Sequence, residues 1–238
     1  IQYNLINMDL KYKMSETETI VNNIALVKKA INVALKASSR AENTTNLVAV
    51  SKTRQLDVIK KALTAGQYIF GERSVQEAEG KWLDLKKVYP STQLHLIGPL
   101  QTNKVALAVG LFDVIETIDR IKLAKAISRQ INTTGRHVRC FGQVNTGKEI
   151  QKSGVFPEDA DAFVKTCRLD LNLPVDGLMC IPPKNEEPSL HFGLLRKIAD
   201  RNNIKELSMG MSADYKIAVQ FGATYVRVGT AIFGPRTV

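Results

Sequence analysis

Two hydrophobic periods take turns along this chain. Short, nearly unbroken apolar runs such as Leu47-Val48-Ala49-Val50 give way to longer segments whose apolar residues return at three- and four-residue steps. The first kind reads as strands buried on both faces, the second as amphipathic helices. Strands are expected at 47–51, 68–70, 93–97, 113–117, 138–145, 175–180, 206–208 and 225–228. Helices are expected at 55–65, closed by Gly66, at 75–88, at 100–110, from a cap at Asp119 to 132, from Pro157 in a first turn, at 188–202 and at 213–221, with a last turn at 230–233. One more helix precedes the series, from Ser15 to about Ala41. Ser15 and Glu18 have capping-box spacing there, and Ile20, Ile24, Val27, Ile31 and Leu35 form an apolar stripe.

Strand–helix alternation with short links implies a parallel sheet with right-handed crossovers. Eight such units is the closing number of a (β/α)₈ barrel. A doubly wound open sheet is the competing α/β architecture, but its glycine-rich turn is missing after strand one. The expected organisation is a poorly ordered extension over 1–14 and a single (β/α)₈ TIM barrel with an extra N-terminal helix over 15–238. The 182–188 stretch, with three prolines, reads as a long loop after strand six.

In a barrel the chemistry belongs where strands end. Lys52 ends strand one with an apolar wall behind it. Partial desolvation there would lower its ammonium pKa and make it a nucleophile for carbonyl carbon, with Schiff-base formation as its characteristic reaction. The plain alternative is a lysine that snorkels into water. The same rim collects Glu72 and Arg73, His95 to Gly98, Asn145, Met179, Ser208 to Ser212, and Arg227 to Thr230. The loops Ser208-Met209-Gly210-Met211-Ser212 and Gly229-Thr230 follow strands seven and eight, the usual phosphate site of barrel enzymes, and Ser212 is placed to cap the next helix. Either loop alone reads equally well as turn residues. Together, opposite a Schiff-base lysine, they describe a pyridoxal phosphate site, with Arg227 facing the ring or the phosphate. His95 reads more readily as a satisfied strand histidine than as a catalyst.

Composition narrows the partners. The 238 residues are 44% hydrophobic and 24% charged, ordinary for a globular chain. The net charge of +10 and a pI near 9.5 suit anionic partners. The basic residues run no longer than pairs, and aromatics are not interleaved with them, so no nucleic-acid platform is indicated. Cys140, Cys167 and Cys180 have neither disulfide nor zinc spacing, which fits reduced thiols in the cytoplasm. Residues 1–13 carry no apolar core of a secretory signal, and no apolar run is long enough to span a bilayer.

At these residues the chain resembles the YggS/PROSC family, the pyridoxal phosphate homeostasis proteins. The resemblance is carried by Val48-Ala49-Val50-Ser51-Lys52-Thr53, Phe70-Gly71-Glu72, His95 to Lys104, Lys152-Ser153-Gly154, Gly177-Leu178-Met179, Ser208 to Ser212 and Val226 to Gly234. It implies a barrel like the cofactor domain of alanine racemases, with pyridoxal 5'-phosphate as a Schiff base on Lys52. It also implies phosphate contacts from Ser208–Ser212 and Gly229–Thr230, and Arg227 against the pyridine nitrogen. The cofactor-binding set expected on this basis is Lys52, Ser208, Met209, Gly210, Ser212, Arg227, Gly229, Thr230, Arg73, His95, Asn145 and Met179. One departure stands out: the family usually has Asn after Phe-Gly-Glu, where this chain has Arg73.

An arginine at the pyridine nitrogen would leave that nitrogen unprotonated and weaken the ring as an electron sink. Stereochemical inversion needs an acid/base on each face, and only Lys52 is a firm candidate. The chain also ends where racemases of related fold continue into a second domain. The expectation is a non-catalytic, monomeric cofactor-binding protein, with pyridoxal phosphate-dependent apoenzymes as recipients. The competing functions are an amino-acid racemase or decarboxylase using the same cofactor, and an aldolase using Lys52 on a sugar phosphate.

Overall fold

Eight parallel strands close on themselves in sequence order in the computed structural model, which describes residues 15–235. They are β1 (Asn46–Val50), β2 (Ile69–Glu72), β3 (Gln93–Leu96), β4 (Val114–Ile118), β5 (Arg139–Val144), β6 (Gly177–Cys180), β7 (Glu206–Ser208) and β8 (Tyr225–Val228). β1 pairs with β2 on one side and with β8 on the other, Asn46 opposite Tyr225 and Val50 opposite Gly71. The expected extension over 1–14 lies outside the described residues.

The helices are α1 (Glu16–Ala37), α2 (Leu56–Thr64), α3 (Val75–Val88), α4 (Val105–Leu111), α5 (Ile121–Thr134), α6 (Ala160–Lys165), α7 (Pro188–Arg201), α8 (Tyr215–Gln220) and α9 (Thr230–Phe233). α2 to α9 follow β1 to β8 in turn. Because α9 has only four residues, the outer ring would have a gap between α8 and α2. α1 fills it, packing against α2, α8 and α9 with Ile20, Ile24, Val27, Ile31 and Leu35 buried. The capping box at its start is formed: the Glu18 amide donates to Ser15 Oγ at 3.2 Å and the Ser15 amide to Glu18 Oε2 at 2.8 Å. Asn23 Nδ2 donates to the Ile232 carbonyl at 2.9 Å, and Arg40 to those of Val219 and Ala223 at 2.6 and 3.0 Å.

Several helix ends differ from the sequence expectation, each for a local reason. α1 stops at Ala37, where the Ser38 hydroxyl bonds back to the Ala34 and Leu35 carbonyls. The helix expected at 100–110 opens as a 3₁₀ turn over Thr102–Lys104 before α4. Asp119 does not cap α5; its carboxylate pairs with Arg120, whose extended backbone makes the N-cap. Pro157 sits in a turn ahead of α6, closed by the Asp159 amide on the Phe156 carbonyl, and α6 runs on into a π turn over Thr166–Asp170. Ser212 does not cap α8 either. Asp214 is the N-cap residue, and its carboxylate takes the Met211 amide at 2.6 Å, a stronger acceptor than a hydroxyl.

Alternation along each strand sorts the core into two parts. Leu47, Ala49, Ile115, Val226 and Val228 face the helices in one continuous apolar shell, while Val48, Val114, Phe141 and Tyr225 form a separate cluster in the lumen. Gly177 on β6 marks how full that lumen is, since a Cβ there would lie 2.6 Å from the Phe141 ring. Gly177→Ala should therefore cost about 1–3 kcal/mol through overpacking, read as a lower urea midpoint with an unchanged slope.

Candidate functional site

Val48, Val50 and Lys52 share the inward register of β1, so the lysine leaves the strand pointing over the lumen, half-buried. It borders three openings at the C-terminal rim. A cavity of about 290 Å³ lies between Lys52, Arg73, Thr117, Asn145, Lys152 and Ile181. A wider cleft of about 510 Å³ continues from Lys52 and Arg73 past Glu77 to Lys104. A recess of about 30 Å³ separates Lys52 from Gly229 and Thr230, with Val50 and Arg54 as its other walls. The ionisable groups lining the 290 Å³ cavity are Lys52, Arg73 and Lys152, all cations, so it favours an anionic ligand.

Below this rim, a carboxylate that the sequence analysis passed over organises the lumen. Glu116 on β4 is fully buried. His95 Nδ1 donates to its Oε1 at 2.6 Å and the Ser208 hydroxyl to its Oε2 at 2.6 Å. Arg227 donates from Nη1 to Ser208 Oγ at 2.6 Å and from Nη2 to the Cys180 carbonyl at 2.9 Å, with Nη1 3.8 Å from Glu116 Oε2. Burial alone would raise the Glu116 carboxyl; the hydrogen bond and charge of His95, then Arg227 and Ser208, outweigh it and hold the group below the usual carboxylate range. A charged residue at the centre of the apolar run 114–118 was the signal available in the sequence.

The expected site residues thus separate. Lys52, Arg73 and Asn145 meet at the cavity, and Gly229 and Thr230 at the recess beside it. His95, Ser208 and Arg227 lie in the buried network, and Met179 and Met209 are fully buried. Asn145 also has work elsewhere. Its Nδ2 donates to the Glu149 and Lys152 carbonyls at 2.8 and 3.3 Å, and its Oδ1 accepts the Glu149 amide at 3.2 Å. Together with Gln143 Nε2 on the Ser153 carbonyl (3.0 Å), it shapes the loop that carries Lys152 to the cavity. Gly210 takes φ +89° and packs on α8, while its carbonyl accepts the Arg227 amide at 2.9 Å. Glu72, read from the sequence as part of the rim, faces the other way. It is buried against α3, where its Oε1 takes donors from Ser51, Lys81 and Trp82 at 2.7, 2.9 and 3.1 Å. Burial raises its pKa, against the opposing pull of Lys81, Ser51 and Trp82.

Known proteins share this architecture and much of its sequence. Residues 27–237 match the family model of the alanine racemase N-terminal domain. A pyridoxal phosphate homeostasis protein of Pseudomonas aeruginosa is 40% identical over 223 residues, 92% of this chain and 96% of that one. Another, from Haemophilus influenzae, is 36% identical over 227 residues, 91% of this chain and 96% of the relative. This chain belongs to the pyridoxal phosphate homeostasis protein family. Among solved structures, PipY of Synechococcus elongatus with pyridoxal phosphate bound superposes on this family member with a TM-score of 0.77 at 32% identity, covering 90% of this chain and all of that one.

The two buried carboxylates give this homeostasis-family chain opposite responses to acid. Glu116, with its folded pKa below the ordinary 4.5, contributes stability that is present above that value and lost as pH falls through the folded pKa. Glu72, with its folded pKa above 4.5, shifts stability the other way: its penalty grows as pH rises through the folded value. Urea titrations at about pH 7 and about pH 4 should show a shallower acid loss in Glu116→Gln and a steeper one in Glu72→Gln than in wild type. Glu116→Ala, which leaves Arg227 buried beside no carboxylate, should cost about 3–5 kcal/mol.

Proposed function

We propose that this chain binds pyridoxal 5'-phosphate, holds its aldehyde carbon on Lys52 as a Schiff base, and serves intracellular cofactor homeostasis without robust turnover. The observation that carries this reading is the place of Lys52, half-buried between a cavity of about 290 Å³ whose ionisable lining is cationic and the recess at Gly229 and Thr230. That volume is at the lower end of small-ligand pockets, which begin at about 300 Å³, and suits a compact anionic aromatic molecule. When bound, such a cofactor supplies an aldehyde that condenses with amines and a ring that withdraws electrons.

The chain's own residues have distinct parts in this reading. Lys52 provides the amine. Gly229 and Thr230 would receive the phosphate, with Ser208–Ser212 behind them. Arg227, held by Ser208 and the Cys180 carbonyl, would meet the pyridine nitrogen as a permanent donor that does not give up its proton. Arg73 adds a cation at the mouth. The family relatives are named for homeostasis rather than for a reaction, and the cavity lining offers no carboxylate, histidine, tyrosine or thiol as a second acid/base among the described residues. Both favour loading and release over racemisation or decarboxylation. Among the described residues no helix is long and apolar enough to cross a membrane. All three cysteines are free and buried, as reduced thiols in a cytoplasmic setting are, and in this reading the chain is a monomer that hands the cofactor to apoenzymes.

Freshly purified protein should be yellow and bleach with borohydride, and peptide mapping after reduction should place the adduct on Lys52. Lys52→Ala should lose that chromophore. A colourless protein that takes up no pyridoxal phosphate would favour the aldolase reading. Turnover of any member of an amino-acid panel at ordinary enzyme rates, about 1–10³ s⁻¹, would overturn mere carriage.

A further inference from the structure

The backbone on either side of Lys52 is tied to α3. Upstream, the Ser51 amide extends the ladder to the Gly71 carbonyl at 3.0 Å, and its hydroxyl donates to Glu72 Oε1 at 2.7 Å. The Ser51 carbonyl accepts Lys81 Nζ at 3.0 Å. Downstream, the Thr53 amide donates to Glu77 Oε1 at 2.5 Å, and the Thr53 hydroxyl to the Lys52 carbonyl at 2.6 Å. Lys81 Nζ joins the two sides, 2.9 Å from Glu72 Oε1 and 2.7 Å from Glu77 Oε1.

Thr53 itself is strained. Its φ of +64° lies in the left-handed region, and it is the only β-branched residue there among the described positions. A β-branched side chain crowds the backbone in that conformation, which persists only where the surroundings over-determine it. The bond to Glu77 and the turn from the Arg54 amide to the Ser51 carbonyl, 3.0 Å, are what hold it.

We propose that Glu77, anchored by Lys81, is a positioning residue for Lys52: by holding the strained Thr53 turn it aims the Lys52 amine into the cavity. The inference rests on the reading of Lys52 as the cofactor-bearing amine. Without the carboxylate, Thr53 relaxes toward negative φ and rotates the peptide that follows Lys52. Amine attack on an aldehyde needs the nitrogen within near-attack distance, and a displacement on the order of 1 Å is enough to slow such a step up to about a hundredfold. Glutamine at position 77 keeps an oxygen that accepts the Thr53 amide, whereas alanine does not. Glycine at position 53 adopts the left-handed conformation freely and makes the anchor dispensable.

The test follows imine formation by stopped-flow absorbance after pyridoxal 5'-phosphate is added to the full chain stripped of cofactor. Expected are a loss of about tenfold to a hundredfold in rate for Glu77→Ala, near wild-type rates for Glu77→Gln and Thr53→Gly, and recovery of most of the loss in the Glu77→Ala, Thr53→Gly double variant. A wild-type rate in Glu77→Ala overturns the proposal. So does Glu77→Gln as slow as Glu77→Ala, or a double variant that stays slow, since a loss of charge or of general packing would give those results. Should Glu77→Ala fail to fold, Glu77→Gln against Glu77→Gln, Lys81→Met decides: a rate unchanged by losing the lysine refutes the anchored turn. Wild-type protein that forms no imine would instead sink the functional reading itself.

Discussion

A closed barrel of eight strands gives its inward-facing side chains little water to turn to, so polar groups in the lumen are answered chiefly by one another, His95 Nε2 being an exception among the described residues. In this chain the answer is centred on one carboxylate. Glu116 gathers His95 from β3, Ser208 from β7 and Arg227 from β8, so that strands far apart in sequence share one hydrogen-bonded set. The guanidinium that the functional reading aims at the ligand thereby has its orientation set from beneath. A buried cation and a buried anion in one network cost nearly as much in desolvation as their attraction returns; what the structure shows is the orientation they share, with Arg227 held by Ser208 and the Cys180 carbonyl.

A second carboxylate does comparable work on the opposite face of the barrel wall. Glu72 looks outward to α3, where Ser51, Lys81 and Trp82 converge on it, and Ser51 is the residue before the lysine at the mouth. Lys52 is thus backed by α3 through the outer layer, while Arg227 is fixed through the inner one. The cavity lies above both, and the ionisable side chains that line it are cations.

How much of this is legible in the sequence depends on the range of the interaction concerned. Period and spacing are local, which is why the eight strand–helix units and the α1 stripe from Ile20 to Leu35 are readable from the chain. Lys52 at the end of an apolar run and the glycines after strands seven and eight are also local signals. Glu116, Glu72 and Glu77 are not, because each reaches at least one partner that only the fold brings near: Ser208 is 92 residues from Glu116, Ser51 is 21 from Glu72 and Thr53 is 24 from Glu77, even though Glu77 and Lys81 are a local pair on α3. Parity could have sorted the rim residues: alternation puts Lys52 inward and Ser51 outward on β1, and likewise turns Glu72 away from the mouth. Asn145 shows the converse limit, since its place at a strand end says nothing of the loop its side chain holds together.

The helix that seals the outer ring is the first described element of the chain, and its neighbours α8 and α9 are the last. During synthesis α1 would leave the ribosome with only α2 among its three helical partners close behind it, and the part of its stripe that meets α8 and α9 would stay uncovered until almost the whole polypeptide had followed. Closure of the ring is a contact between chain ends, of the kind that slows folding and leaves sticky surface exposed in the meantime. Order of synthesis therefore makes the seam between α1 and the last two helices the last apolar surface of the ring to be covered, whatever the stability of the finished fold.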